Sequence, residues 1–114
     1  MYSTSGEGGD LCGICGFTTR VTAVKGAGKG REIEVEVRLD SECPSWQKAA
    51  EEIASLKPFQ ELFSLPHEGR LYRVAARYVR HPACPVPAGI LKALEVAAGL
   101  ALPKDAVIKV TADS

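Results

Sequence analysis

"REIEVEVRLD", residues 31–40, alternates strictly: Ile33, Val35, Val37 and Leu39 fall on one side, and Glu32, Glu34, Glu36 and Arg38 on the other. A period of two is that of a strand with one face in the core and one in water. The preceding "FTTRVTAVK", residues 17–25, is rich in β-branched residues that suit a pleated surface. Between the two runs lies "GAGKG", residues 26–30, whose glycines tolerate positive φ. The pair therefore reads as an antiparallel hairpin.

Outward from the hairpin the period changes. In "PSWQKAAEEIASL", residues 44–56, Trp46, Ala49, Ala50, Ile53 and Leu56 recur at helical intervals, with Pro44 suited to the first helical position and Cys43 to the N-cap. "PFQELFSL", residues 58–65, predicts a short helical turn between two prolines. "LYRVAARYVR", residues 71–80, alternates as a strand would, but Arg73, Arg77 and Arg80 recur at i, i+4, i+7, and helix is the preferred reading. "PAGILKALEVAAGLAL", residues 87–102, is apolar nearly all round and closes near Gly99, which predicts the central buried helix. "DAVIKVTA", residues 105–112, puts Ala106, Ile108 and Val110 on one face and predicts a third strand returning to the hairpin. The expected architecture is α+β: a three-stranded antiparallel sheet, made of the hairpin and the C-terminal strand, with three to four helices packed on one face. Residues 1–10, small, polar and glycine-rich, read as a flexible tail, and 11–114 as a single domain.

Fourteen basic and fourteen acidic residues cancel. A balanced chain argues against a general nucleic-acid or anionic-membrane binder, which carries a basic excess. The start lacks a basic region followed by an apolar run, and Lys92 and Glu95 interrupt the most apolar stretch, so a cytoplasmic protein is expected.

In a reducing cytoplasm the four cysteines point to metal ligands or reactive thiols rather than disulfides. Cys12 and Cys15 form C-x2-C beside glycines; Cys43 follows after 27 residues and Cys84 after 40 more. Cys43 and Cys84 each precede a proline and a predicted helix, where exposed N–H groups and the helix dipole favour thiolate. The hairpin reading makes Cys15 and Cys43 neighbours, because the start of one antiparallel strand lies beside the end of the next. A shared site using Cys15, Cys43 and Cys84, with Cys12 as a further ligand, is the preferred reading. Thiolates suit tetrahedral zinc and iron–sulfur clusters alike. Two widely separated single cysteines, one followed by proline as ferredoxin ligands often are, lean towards an iron–sulfur cluster of the 4Fe–4S type, with zinc as the alternative. The function expected is electron transfer or sulfur handling, with a redox or sulfur-transfer protein as partner. A metal-free thiol redox or sulfane-sulfur carrier, and a structural zinc interaction domain, stand as alternatives. No catalytic residue is assigned.

His81 and Arg80 lie close before Cys84 and are candidates to stand beside such a site. Arg73, Arg77 and Arg80 offer charge to a thiolate site or an acidic ligand, although a solvated helix face is the simpler reading. His67 reads as loop and Glu51 and Glu52 as surface. "GAGKG" has no helix after it and is no phosphate cradle.

"GICGF" at 13–17, "ECP" at 42–44 and "HPACPVPAGILKALEVAAGLALPKD" at 81–105 resemble the motifs of a small uncharacterised family of cytoplasmic proteins, found mainly in anaerobic bacteria and archaea. The resemblance implies a cysteine site at Cys15, Cys43 and Cys84; Cys12 lies outside its pattern. "ACPVPAGILKALE" is also similar, more distantly, to the T-S-C-P-D-x-L-A-K-A segment of the TSCPD domain, found at the ends of some cobalamin-dependent ribonucleotide reductases. That likeness implies cysteines at helix starts after a hairpin and no particular reaction.

Overall fold

The structure is a computed structural model that describes residues 2–5, 17–108 and 111–112, the first four through their backbone. The hairpin is its centre. Strands β2 (Thr19–Lys25) and β3 (Val35–Ser41) pair antiparallel from Thr19 opposite Ser41 to Lys25 opposite Val35. This register puts Val21, Ala23, Val35 and Val37 on one face, all buried, and leaves Arg20, Glu36, Arg38 and Asp40 on the other, exposed. The alternation in the sequence is thus the alternation of the sheet.

The connection is longer than the glycine run. Gly26 N–H donates to the Glu34 carbonyl and Glu34 N–H to the Ala27 carbonyl, both at 2.8 Å, and a single 3-10 turn occupies Gly30–Glu32. Gly28 sits at φ +95°, and a Cβ there would run into the Glu32 carbonyl oxygen. This glycine is demanded twice, by backbone conformation and by space.

Four helices cover the sheet's apolar face: α1 (Pro44–Ala49), α2 (Pro58–Glu61), α3 (Arg70–Tyr78) and α4 (Val86–Ala97). α4 lies against β2, as expected of the central helix, and buries Ile90, Ala93 and Leu94 completely or nearly so. Burying a Leu or Ile side chain stabilises by about 1.5–3 kcal/mol. Its C-terminus is a Schellman motif: Leu100 N–H donates to the Glu95 carbonyl (2.8 Å), Gly99 N–H to the Val96 carbonyl (3.1 Å), and Gly99 takes φ +77°. α1 packs on β3 and α3 and buries Trp46 and Ala49. Residues 71–80, ambiguous in sequence, are helical as far as Tyr78.

α3 is capped in a way its sequence does not announce. Its N-cap is Gly69, which has no side chain to offer, and the Glu61 carboxylate reaches over from the end of α2 instead. Glu61 Oε2 accepts the Arg70 N–H at 2.9 Å and Oε1 the Leu71 N–H at 2.6 Å. A carboxylate that is only 8% exposed is thereby paired with two of the helix's otherwise orphan donors.

Three expectations are corrected. The C-terminal strand is absent among the described residues: Asp105–Ile108 has no strand, and Val107 and Ile108 are 82% and 70% exposed. Both edges of the hairpin are already taken. Strand β1 (Tyr2–Ser5), a segment read from composition as tail, pairs antiparallel with β2, and β4 (Ser55–Leu56) pairs with β3, giving the order β1-β2-β3-β4. The helix expected over 44–56 is also shorter. After Ala49 it tightens into a 3-10 turn (Ala50–Ile53) and ends in β4, where the Ala54 carbonyl accepts the Val37 N–H at 2.8 Å. Completing the edge of β3 wins over extending the helix. The α+β class stands, with β1, β2 and β3 as a three-stranded antiparallel sheet under helices and the two-residue β4 added at the edge of β3.

Replacing Gly28 by Ala is expected to destabilise the domain by about 1–3 kcal/mol, read as a lower urea midpoint at unchanged slope. The same substitution at Gly30, where added bulk meets nothing within 4 Å, should cost less.

Candidate functional site

Cys43 and Cys84 are free thiols, both half-buried, and both pack against the hydrophobic core. Cys43 is the N-cap of α1, as its sequence predicts, with Gln47 N–H donating to its carbonyl at 3.0 Å; its thiol makes no capping hydrogen bond. Cys84 precedes a proline and a helix as expected, with Pro85 as the N-cap of α4. A turn holds it: Cys84 N–H donates to the His81 carbonyl at 3.1 Å, with Pro82 at the position where a fixed φ favours such turns. Cys12 and Cys15 lie outside the described residues. Among the described residues no group of three or more His, Cys, Asp or Glu is placed to hold a metal ion.

The backbone around Cys43 is held by a network that motif reading missed. Thr19 and Ser41 face each other across β2 and β3, and their hydroxyl oxygens are 2.7 Å apart in a hydrogen bond. Ser41 Oγ also accepts the Cys43 N–H at 3.1 Å, and the Ser41 carbonyl accepts Gln47 Nε2 at 2.8 Å. One residue further along, Glu42 N–H donates to the Thr18 carbonyl (3.2 Å) while Thr18 N–H donates to Glu42 Oε1 (2.8 Å). Cys43 is therefore fastened to the start of β2. The detectable signal was polar residues at the ends of two apolar strands, where hydroxyls are retained only if paired.

Trp46, three residues beyond Cys43, has no exposed surface, and its Nε1 is a buried side-chain nitrogen without a hydrogen-bond partner among the described residues. Orphaned donors of this kind are rare in native interiors.

His81 touches Cys84 through the backbone carbonyl just described, and Arg80 is exposed beyond the end of α3. His67 lies exposed in a 3-10 turn at Pro66–Glu68. Glu52, read as surface, is half-buried and joins α3 to the segment after α1: Arg77 Nη2 lies 2.7 Å from its Oε1, and the Tyr78 hydroxyl donates to its Oε2. That hydrogen bond, with desolvation and the Glu52 charge adding to it, raises the Tyr78 phenol above its ordinary value.

The described residues define a two-layer α+β domain with free thiols at the entrances to two helices. The chain belongs to the Family of unknown function DUF6951, which it matches over residues 11–110. No curated protein and no solved structure matches it. Among the described residues no helix is long and apolar enough to cross a membrane.

Replacing Ser41 by Ala deprives the Cys43 N–H of its acceptor and the buried Thr19 hydroxyl of its partner. The expected cost is about 1–3 kcal/mol by urea unfolding, with the native far-ultraviolet spectrum retained.

Proposed function

We propose that this chain is a small cytoplasmic metal-binding protein that holds an iron–sulfur cluster of the 4Fe–4S type through Cys15, Cys43 and Cys84, with Cys12 as the further thiolate. Its task would be electron transfer or sulfur handling, with a redox or sulfur-transfer protein as partner. The observation that carries this reading is the fastening of Cys43 to Thr18 and Thr19. Cys15 precedes Thr18 by three residues, so the covalent chain keeps its Cα within about 11 Å of the Cα of Thr18, whose backbone is bonded to the residue before Cys43.

The donor set fits the group. Thiolates are the ligands both iron–sulfur clusters and zinc select, and Cys43 and Cys84 are outside any disulfide and half-buried, a setting that restricts solvent at a cluster. The orphaned indole N–H of Trp46, on the helix that opens at Cys43, is a donor of the sort that tunes metal-bound sulfur. The similarity of the Cys84 segment to the TSCPD domain adds support from an unrelated cysteine site, and the cytoplasmic setting rests on the reducing environment such thiols need.

Protein purified without oxygen is expected to be brown and to contain iron and acid-labile sulfide, and Cys84→Ser should lose most of both. Colourless protein that takes up no iron on reconstitution overturns the reading. In that case bound zinc would assign a structural zinc domain, and freedom from metal a thiol or sulfane-sulfur carrier.

A further inference from the structure

We propose that the outward face of α3 is a binding site for a dianionic oxyanion, the phosphate or dicarboxylate group of a small ligand, held by Arg70, Arg73 and Arg77. This inference is independent of the cysteine site.

The chain is neutral as a whole, but its charge is not evenly spread: residues 69–94 hold five of the fourteen basic residues and no acid. Three of the five sit at i, i+3, i+7 on α3 and, with Val74, line an open surface hollow of ≈ 500 Å³. Seven residues of helix span about 10 Å, the scale of one small ligand rather than of an extended polyanion.

The two outer arginines are held in place by one residue. Arg70 Nε donates to the Glu52 carbonyl at 2.9 Å, and Arg77 Nη2 pairs with Glu52 Oε1 at 2.7 Å. The remaining carboxylate oxygen of Glu52 accepts the Tyr78 hydroxyl, so both of its oxygens are engaged. Each outer guanidinium has spent one of its five donors on Glu52. Between them, Arg73 is exposed, and its guanidinium makes no hydrogen bond or ion pair with any described residue. Glu51, Glu52 and Glu61 are acids nearby, but Glu61 is spent on the Arg70 and Leu71 N–H groups, and the described residues that line the hollow are the three arginines and Val74.

A solvated arginine face needs no fixed neighbours. Here guanidiniums partly immobilised by Glu52 flank a third that pairs with no described residue, and planar forks of this kind match carboxylate and phosphate through paired N–H···O bonds. Because Arg70 and Arg77 are already ordered, less side-chain entropy is lost when a ligand arrives. The arginine stripe visible in sequence ran through Arg73, Arg77 and Arg80; in the structure Arg80 falls outside the helix and Arg70 takes its place at the other end.

The test is side-chain Nε–Hε NMR on the full chain at constant ionic strength, titrated separately with inorganic phosphate and with succinate. Saturable shifts at Arg70, Arg73 and Arg77, absent at the exposed Arg20, are expected with at least one of the two. Saturation by phosphate alone assigns a phosphate ligand, by succinate alone a dicarboxylate, and by both the shared oxyanion chemistry. Arg73→Gln, at an exposed position that leaves the fold intact, should weaken binding at least about tenfold, and Arg73→Lys, which keeps the charge but loses the fork, by a smaller factor. Shifts that grow without saturating, equal shifts at Arg20, or an unchanged affinity in Arg73→Gln would each overturn the proposal.

Discussion

The β2–β3 register is the constraint on which the rest of the molecule depends. It sets Val21, Ala23, Val35 and Val37 on one face for the helices to cover. A slip of one residue would turn Glu34, Glu36 and Arg38 into that core, at a desolvation cost that the single Glu36–Arg38 ion pair leaves largely unmet. The same register ends with Thr19 opposite Ser41, and the backbone bond between Thr18 and Glu42 continues it by one step. Fold and candidate site therefore share a cause: the pairing that aligns the apolar residues also delivers Cys43 to the start of β2.

Polar residues then fix what the apolar face leaves undetermined. Glu61 caps α3 in place of a side chain that Gly69 lacks, and Glu52 ties α3 to the segment after α1 through Arg70, Arg77 and Tyr78. Gly69 suits its place because Glu61 occupies the space beside it; an added Cβ would meet the carboxylate at 3.3 Å. These contacts give α3 a defined position, and with it the turn that carries Cys84 into α4.

The hairpin and α4 were legible in sequence because each carries a strong single period: two for Ile33 to Leu39, and an apolar helix ending at Gly99 for α4. The C-terminal strand was misread because "DAVIKVTA" has the alternation of a strand, while pairing depends on a free edge, and Tyr2–Ser5 and Ser55–Leu56 hold both edges. Local pattern records what a segment favours and not which partner reaches the edge first. The end of the first helix was lost for the same reason, since Ile53 and Leu56 keep helical spacing while the backbone has already turned to pair with β3. At the candidate site, Cys43 at a helix start was legible from the following proline. Ser41, Glu42, Thr18 and Thr19 were not, because their pairing exists only across 22 to 24 residues of chain. The capping by Glu61 was hidden likewise, eight residues before the glycine it serves.

The central claim is that thiols distant in sequence act as one site. Its most direct test is alkylation of the anaerobically purified full chain, read cysteine by cysteine by mass spectrometry, before and after treatment with a chelator. Joint protection of Cys15, Cys43 and Cys84, lost together when the metal is removed, is the predicted result. Alkylation of these three cysteines at independent rates that the chelator leaves unchanged would contradict it.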